Sequence, residues 1–435
     1  MTLSDSFWII SFNLMFQKTT LKNGLRIILV PKKESLSVNL LVLVGVGTNY
    51  EIKELNGISH FLEHMTFKGT KKRPTAFDLS SEIDSMGAEC NAFTNREYTG
   101  YYISCLPDKV NQALDILSDM YLNPVFDTTE LEKEKGVIGE EINLHFDTPS
   151  RRVFDIFTSL MYGDSAYGRS TLGSKVVLKK VDRHDLLDYQ NKFYHTENTV
   201  VAAAGNFTED DILKKIEMHF SGARAGSGRP KEKIIEAQSK PQFKVEYRKG
   251  DQANMVLGFR TFGSSHPDYY TAEVMAGILG GTMSSRLFQK IREEMGAAYS
   301  IGSYQTGFTN YGYFGISGGI QSKRIGEVMK AILAEINLLK NSLVLEKELT
   351  KVKDSFIGST YLGLETPADL SGFYGIQEIR GEPIISPEEF GKRIKAVTAD
   401  DVRNLARKIF VNDVMNLAIL GPYKGESEFV NMLTL

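Results

Sequence analysis

His60-Phe61-Leu62-Glu63-His64 governs the reading of this chain, because it puts two imidazoles and a carboxylate on one face of a helix. Residues i and i+4 are stacked neighbours on an α-helix, so both rings can reach one ion. Glu63 points to the same side, where its carboxylate can take a proton from water. Two neutral imidazoles, a carboxylate as third ligand and one open position make the donor set of a catalytic Zn²⁺ site. His-x-x-Glu-His is also the inverted zincin signature. The competing reading is two surface histidines on an ordinary helix. With only seven His in the chain, that spacing is an uncommon accident.

A third ligand is expected downstream. Glu130-Leu131-Glu132-Lys133-Glu134-Lys135-Gly136-Val137-Ile138-Gly139-Glu140-Glu141-Ile142 reads as a helix with Leu131, Val137, Ile138 and Ile142 facing inward. Most of its acids form a solvated face. Glu134 and Glu141 lie seven residues apart, two helical turns, on one stripe with Leu131 and Ile138. A carboxylate on a buried stripe needs a partner, since unpaired burial is costly. Glu141 at the metal, with Glu134 behind it orienting a histidine, meets that need. His145, four residues beyond Glu141, is the rival ligand.

These residues, in this order, resemble the M16 (pitrilysin/insulysin) metallopeptidases. The half-length M16B branch, with the mitochondrial processing peptidase β-subunit and its bacterial homologues, is the nearest likeness. Further segments carry it: Asn23-Gly24-Leu25-Arg26, Gly45-Val46-Gly47-Thr48, Phe67-Lys68-Gly69-Thr70, Asn91-Ala92-Phe93-Thr94, Glu134 through Ile142, Gly168-Arg169 and Leu172-Gly173. In the second half, Ser285-Arg286-Leu287-Phe288 through Arg292 and Tyr299 resembles that half's signature. The likeness runs from about residue 15 to near the C-terminus. It implies an α+β M16/LuxS-like fold, one Zn²⁺ per chain on His60, His64 and Glu141, and Glu63 as general base. It also implies that Arg292 and Tyr299 meet the substrate carbonyl and its oxyanion, and that two chains close as a clamshell homodimer. Taken alone, a guanidinium and a phenol are suitable donors to a substrate carbonyl and oxyanion, and the competing reading is a surface ion-pair Arg292 and a Tyr299 ring packed on a sheet.

An internal repeat supports two homologous domains. Val38–Val44 is a near-continuous apolar strand, and Ala253–Phe259 repeats it. Ser85-Met86-Gly87-Ala88 and Glu294-Met295-Gly296-Ala297 lie 209 residues apart, each with a Gly suited to a left-handed helix cap. Val137-Ile138-Gly139 corresponds to Phe356-Ile357-Gly358, which puts Thr360 where the first half has Glu141. The second half has no His-x-x-Glu-His and is expected to be metal-free. The expected fold is α+β, each domain a largely antiparallel sheet covered by helices such as Lys109–Leu122, with Val110, Ala113, Leu114, Leu117 and Tyr121 on one face. The domains are expected at 15–220 and 243–435, joined by a Gly-rich, charged flexible link over 221–242.

Composition sets the remaining bounds. The 435 residues are 42% hydrophobic and 24% charged, an ordinary globular profile for two or more domains. A net charge of −3 without a basic stripe gives no nucleic-acid footprint. Cys90 and Cys105 cannot make a disulfide framework, so a reducing compartment is expected, and Cys90 reads as a buried apolar thiol. No run of 18 apolar residues exists, so no membrane span is expected. Phe7–Phe16 is short, follows Asp5 and fails as a secretory signal. Met15 reads as a natural start, with residues 1–14 an upstream extension.

His184, His195, His219 and His266 lack metal spacing and read as structural. The expected activity is a bacterial, cytoplasmic zinc endopeptidase acting on peptides or unfolded segments. Asn91-Ala92-Phe93 is expected as an edge strand that receives substrate by β-addition. Two rivals are a non-catalytic subunit of the same fold and an enzyme active only beside a different M16 chain.

Overall fold

Strand Val38–Val44 is buried at all seven positions, so this sheet must be covered on both faces. The computed structural model shows how; it describes residues 16–228, 230–234, 237–426 and 429. The expectations for residues 1–14 lie outside them.

The first sheet contains β1 (Gln17–Thr20), β2 (Arg26–Pro31), β3 (Val38–Val44), β4 (Glu89–Thr94), β5 (Thr99–Cys105) and β6 (Thr199–Gly205). The second contains β7 (Gln242–Tyr247), β8 (Gln252–Thr261), β9 (Ala298–Gly307), β10 (Gly312–Gln321) and β11 (Met415–Gly421). Their orders are β1-β2-β6-β3-β5-β4 and β7-β11-β8-β10-β9. With β1 set aside, the two orders are the same. Each sheet is antiparallel except for one parallel pair, β2 with β6 and β7 with β11. The α+β fold with two homologous, largely antiparallel sheets is therefore as expected, and the repeated segments coincide. Val38–Val44 and Ala253–Phe259 are the matching strands β3 and β8. Gly87 (φ 61°) and Gly296 (φ 58°) hold left-handed turns into β4 and β9.

One face of each sheet is covered by its own helices. Val110, Ala113, Leu114, Leu117 and Tyr121 pack with Leu40, Val42 and Val44 in one core, as expected from their spacing. The opposite faces are covered by exchange. Helix Pro367–Ile379, from the second half of the sequence, lays Leu370 and Tyr374 on Leu41, Leu43, Val200 and Ala202 of the first sheet. Helix Pro149–Tyr162, from the first half, lays Val153, Ile156, Phe157 and Met161 on Val256, Ala418 and Leu420 of the second. Both helices begin on Pro at a position whose N–H has no intrahelical partner.

Polar ties fix the junction between the halves. Glu97, in the turn between β4 and β5, accepts the Thr309 backbone N–H at 2.9 Å and pairs with Lys231. Glu378 pairs with Lys18 at 2.7 Å and Arg26 at 3.1 Å. The described part of 221–241 has no regular secondary structure, and backbone bonds from Thr196 N–H to Arg224 and from Glu197 N–H to Gly226 tie it down.

Candidate metal centre

The motif lies on helix Ile58–Thr66, whose start is set by a buried acid. The Glu51 carboxylate accepts from the backbone N–H of Gly57 (2.6 Å) and Ser59 (2.9 Å) and from Asn56 Nδ2 (2.9 Å). A carboxylate there satisfies free N–H groups and opposes the positive end of the helix dipole. Gly57 enters the helix at φ 97°, and a Cβ there would press on Leu172 and Gly173. Ser59 Oγ lies 2.8 Å from Tyr189 Oη, which holds the first turn against the core.

His60 is buried and His64 partly exposed, and their Nε2 atoms approach to 3.1 Å. Glu141 Oε2 lies 3.5 Å from His60 Nε2 and 3.6 Å from His64 Nε2. Ligand atoms about 2.0–2.1 Å from a tetrahedral ion are about 3.3 Å from one another. The three contacts therefore fit one Zn²⁺, and the set is the only such group found among the described residues.

Glu141 reaches this point on helix Thr128–Asp147, capped by the Asp127 carboxylate accepting from Thr129 and Glu130 N–H. Glu134, two turns earlier, is 4% exposed and stands behind His64. Its Oε1 is 2.8 Å from His64 Nδ1, and its Oε2 is 2.6 Å from Lys68 Nζ. Burial opposes the Glu134 charge, but His64 and Lys68 outweigh it and hold the carboxyl below its usual range. A proton on His64 Nδ1 donated to Glu134 leaves the Nε2 lone pair for a metal. The contact with His64 holds the Glu141 carboxyl below the usual carboxylate range.

Glu63 stands on the same helix, one residue before His64. Burial raises its carboxyl, only partly offset by the Thr94 hydroxyl that donates to Oε2 at 2.5 Å. Thr94 ends β4, so this bond pins the strand carrying Asn91, Ala92 and Phe93 beside Glu63. β4 is an edge strand, as expected, pairing only with β5.

Some expectations need correction or addition. Val137 was expected inward but is 54% exposed, because the helix packs on the core through Leu131, Glu134 and Ile138 while its other flank borders the metal point. His145 does not join the trio; its Nε2 lies 3.1 Å from Asp155. Cys90 is partly rather than fully buried, with its thiol raised to about 12 by burial, and Cys105 is buried. Lys68 and Thr94 were not singled out: each acts through a partner far away in sequence, and only their place in quoted segments pointed to them. His266 Nδ1 accepts the Asp268 N–H at 3.1 Å, as a turn residue should.

Comparison with known proteins follows the same lines. Residues 26–175 match the family model described as Insulinase (Peptidase family M16), and residues 180–356 match Peptidase M16 inactive domain. An uncharacterized zinc protease of Bacillus subtilis is 35% identical over 412 residues, 94% of this chain and 98% of that relative. The chain belongs to peptidase family M16. An uncharacterized zinc protease of Rickettsia felis is 34% identical over 412 residues, again 94% of this chain and 98% of that relative. An M16-like fold also appears in a solved protease from Helicobacter pylori, with TM-score 0.87, 20% identity, and coverage of 94% of this chain and 99% of that one. The trio falls in the stretch matching the first M16 model, and the stretch matching the inactive domain lacks it.

In this M16 chain Arg292 and Tyr299 sit together, in the half that lacks the trio. The Arg292 guanidinium lies 5.5 Å from the Tyr299 ring centroid and 4.8 Å from that of Phe288. Tyr299, on edge strand β9, is 81% exposed. Among the described residues, neither has a hydrogen bond or ion pair to His60, His64 or Glu141. No helix among the described residues is long and apolar enough to cross a membrane.

Proposed function

We propose that this M16 protein is a zinc-dependent endopeptidase that hydrolyses peptides and unfolded segments. The observation that carries this is the convergence of His60 Nε2, His64 Nε2 and Glu141 Oε2 at tetrahedral spacing, with Glu63 beside them. His60, His64 and Glu141 would hold one Zn²⁺, which when bound activates water and polarises a carbonyl. Glu134 orients His64 and holds its Nδ1 proton. Glu63 takes the proton from attacking water and returns it to the leaving amine, a task suited to a carboxyl raised by burial. Asn91, Ala92 and Phe93 on β4 receive the substrate backbone as an added strand.

The exposure of Arg292 and Tyr299, with no hydrogen bond or ion pair to the trio of their own chain among the described residues, supports a shared site. In a homodimeric clamshell, each pair would face the metal centre of the other subunit and donate to the substrate oxyanion. Residues 15–220 then form the catalytic domain, 221–242 the link and 243–435 the metal-free domain, in a cytoplasmic bacterial protein. The test is cleavage-site profiling of a mixed peptide library with the zinc-loaded protein, with and without chelator. Internal cleavages lost on chelation and restored by Zn²⁺ are expected. No cleavage by protein with a full zinc complement would refute the proposal.

A further inference from the structure

The zinc-ligand helix carries three exposed large apolar side chains. Phe146 has the Arg152 and Arg248 guanidinium groups 4.9 and 5.3 Å from its ring centroid, while Val137 and Leu144 stand open beside Glu141. Val137 is 54% exposed and Leu144 61% exposed, one turn before and one turn after Glu141. By helix rise they stand about 6 Å and about 4.5 Å from Glu141 along the axis, on opposite sides of it. On the helical wheel both fall on the same flank of Glu141, away from the buried Leu131, Glu134 and Ile138. Polar residues further round this helix have local partners: Lys133 with Glu130 at 2.6 Å, and Asn143 with Glu140 at 3.1 Å. Phe146, on the far side of the helix, is stacked under the Arg152 and Arg248 guanidinium groups, so the apolar side chains left without such cover border Glu141.

The internal repeat supplies a control. Val137 corresponds to Phe356 in the metal-free half, on helix Glu346–Leu362. Phe356 packs against the second core, and a Cβ at Gly277 would collide with its ring. Leu144 corresponds to Gly363, which has no side chain. Equivalent positions are therefore covered or empty where there is no metal set, and exposed and apolar where there is one.

We infer that Val137 and Leu144 are specificity-determining residues which bind a large apolar side chain next to the scissile bond. The inference rests on the peptidase reading and names its substrate class: peptides with Leu, Met or an aromatic residue flanking the cleaved bond. The occupant follows from continuity with the site, because a carbonyl brought to the metal point has its neighbouring side chains within reach of this strip. β4, pinned to Glu63 through Thr94, sets the substrate direction past it.

The experiment compares kcat/KM for matched peptides with Leu or Ser beside the cleaved bond, using wild type, Val137→Ser, Leu144→Ser and the double variant, with zinc content and oligomeric mass recorded for each. The Leu/Ser ratio is expected to fall about tenfold in the double variant, the lower end for apolar contacts in enzyme pockets, at unchanged zinc content. Leu144→Phe, which fills the strip, should shift the library preference toward smaller side chains. If wild type cleaves and the ratio stays within twofold in every variant, the inference fails while the peptidase reading stands. A change of oligomeric mass at an unchanged ratio would make the strip a subunit interface, which also overturns it. If zinc-loaded wild type cleaves nothing, both fail together.

Discussion

Glu134→Gln should weaken zinc binding although Glu134 touches no metal. Glu134 is 4% exposed and spans His64 Nδ1 at 2.8 Å and Lys68 Nζ at 2.6 Å. The amide oxygen of Gln can still accept from Nδ1–H, so ring orientation survives, but the negative charge that strengthens His64 as a donor is lost. Residues behind a metal ligand typically contribute 10–100-fold in affinity, and the Gln variant belongs at the low end, about 1.4 kcal/mol. Glu134→Ala removes the acceptor as well and leaves the Lys68 ammonium without its partner, which belongs at the high end, about 2.7 kcal/mol. Glu132→Gln is the control, on the same helix with its side chain 69% exposed. The assay is competition for Zn²⁺ against a fluorescent chelator at fixed pH. Losses below threefold in both Glu134 variants, or an equal loss in Glu132→Gln, would refute the orienting role.

Glu141→Gln should lose zinc and activity together, whereas Glu140→Gln should keep both; metal analysis showing the reverse would move the third ligand. Mixing Glu63→Gln with Tyr299→Phe chains, each nearly inactive alone, should restore part of the activity if the site is shared between subunits. No recovery, with subunit exchange confirmed by native mass spectrometry, would put both groups on one chain. Stability should depend on Glu273, whose carboxyl burial pushes up to about 7, with a smaller opposing effect from the Tyr269 hydroxyl. A carboxyl raised in the folded state favours folding most below its unfolded value near 4.5, and this contribution fades as pH rises through 7. With its partial solvent access discounted, Glu273→Gln should be more stable than wild type at pH 8 by on the order of 2–3 kcal/mol and near equal at pH 4; urea unfolding with the same difference at both pH values would contradict this.

What was legible in the sequence followed from local periodicity. The i, i+3, i+4 spacing put His60, Glu63 and His64 on one face, and the two-turn spacing put Glu134 and Glu141 on one stripe. The repeat at 209 residues foretold two homologous domains, and the shared strand order came with the structure. What depends on distant partners was not legible. Val137 neighbours Ile138 in an apolar pattern, and nothing local says that the core ends between them. Lys68 and Thr94 gain their roles from contacts across 66 and 31 residues, with Glu134 and Glu63. The exchange of helices Pro149–Tyr162 and Pro367–Ile379 between the sheets was hidden for the same reason. The buried outer faces of β3 and β6 give no hint of which helix covers them.

The central claim is that three groups hold zinc and a fourth, Glu63, moves the proton. Glu63→Gln separates these roles in one protein, because it removes the base and no ligand. Zinc stoichiometry and peptide turnover should be measured on the same preparation of this variant and of wild type. One zinc per chain in both, with turnover in the variant reduced at least a thousandfold, within the range for loss of an acid–base group, is the expected result. Zinc lost from the variant, or turnover kept within tenfold of wild type, would contradict the account.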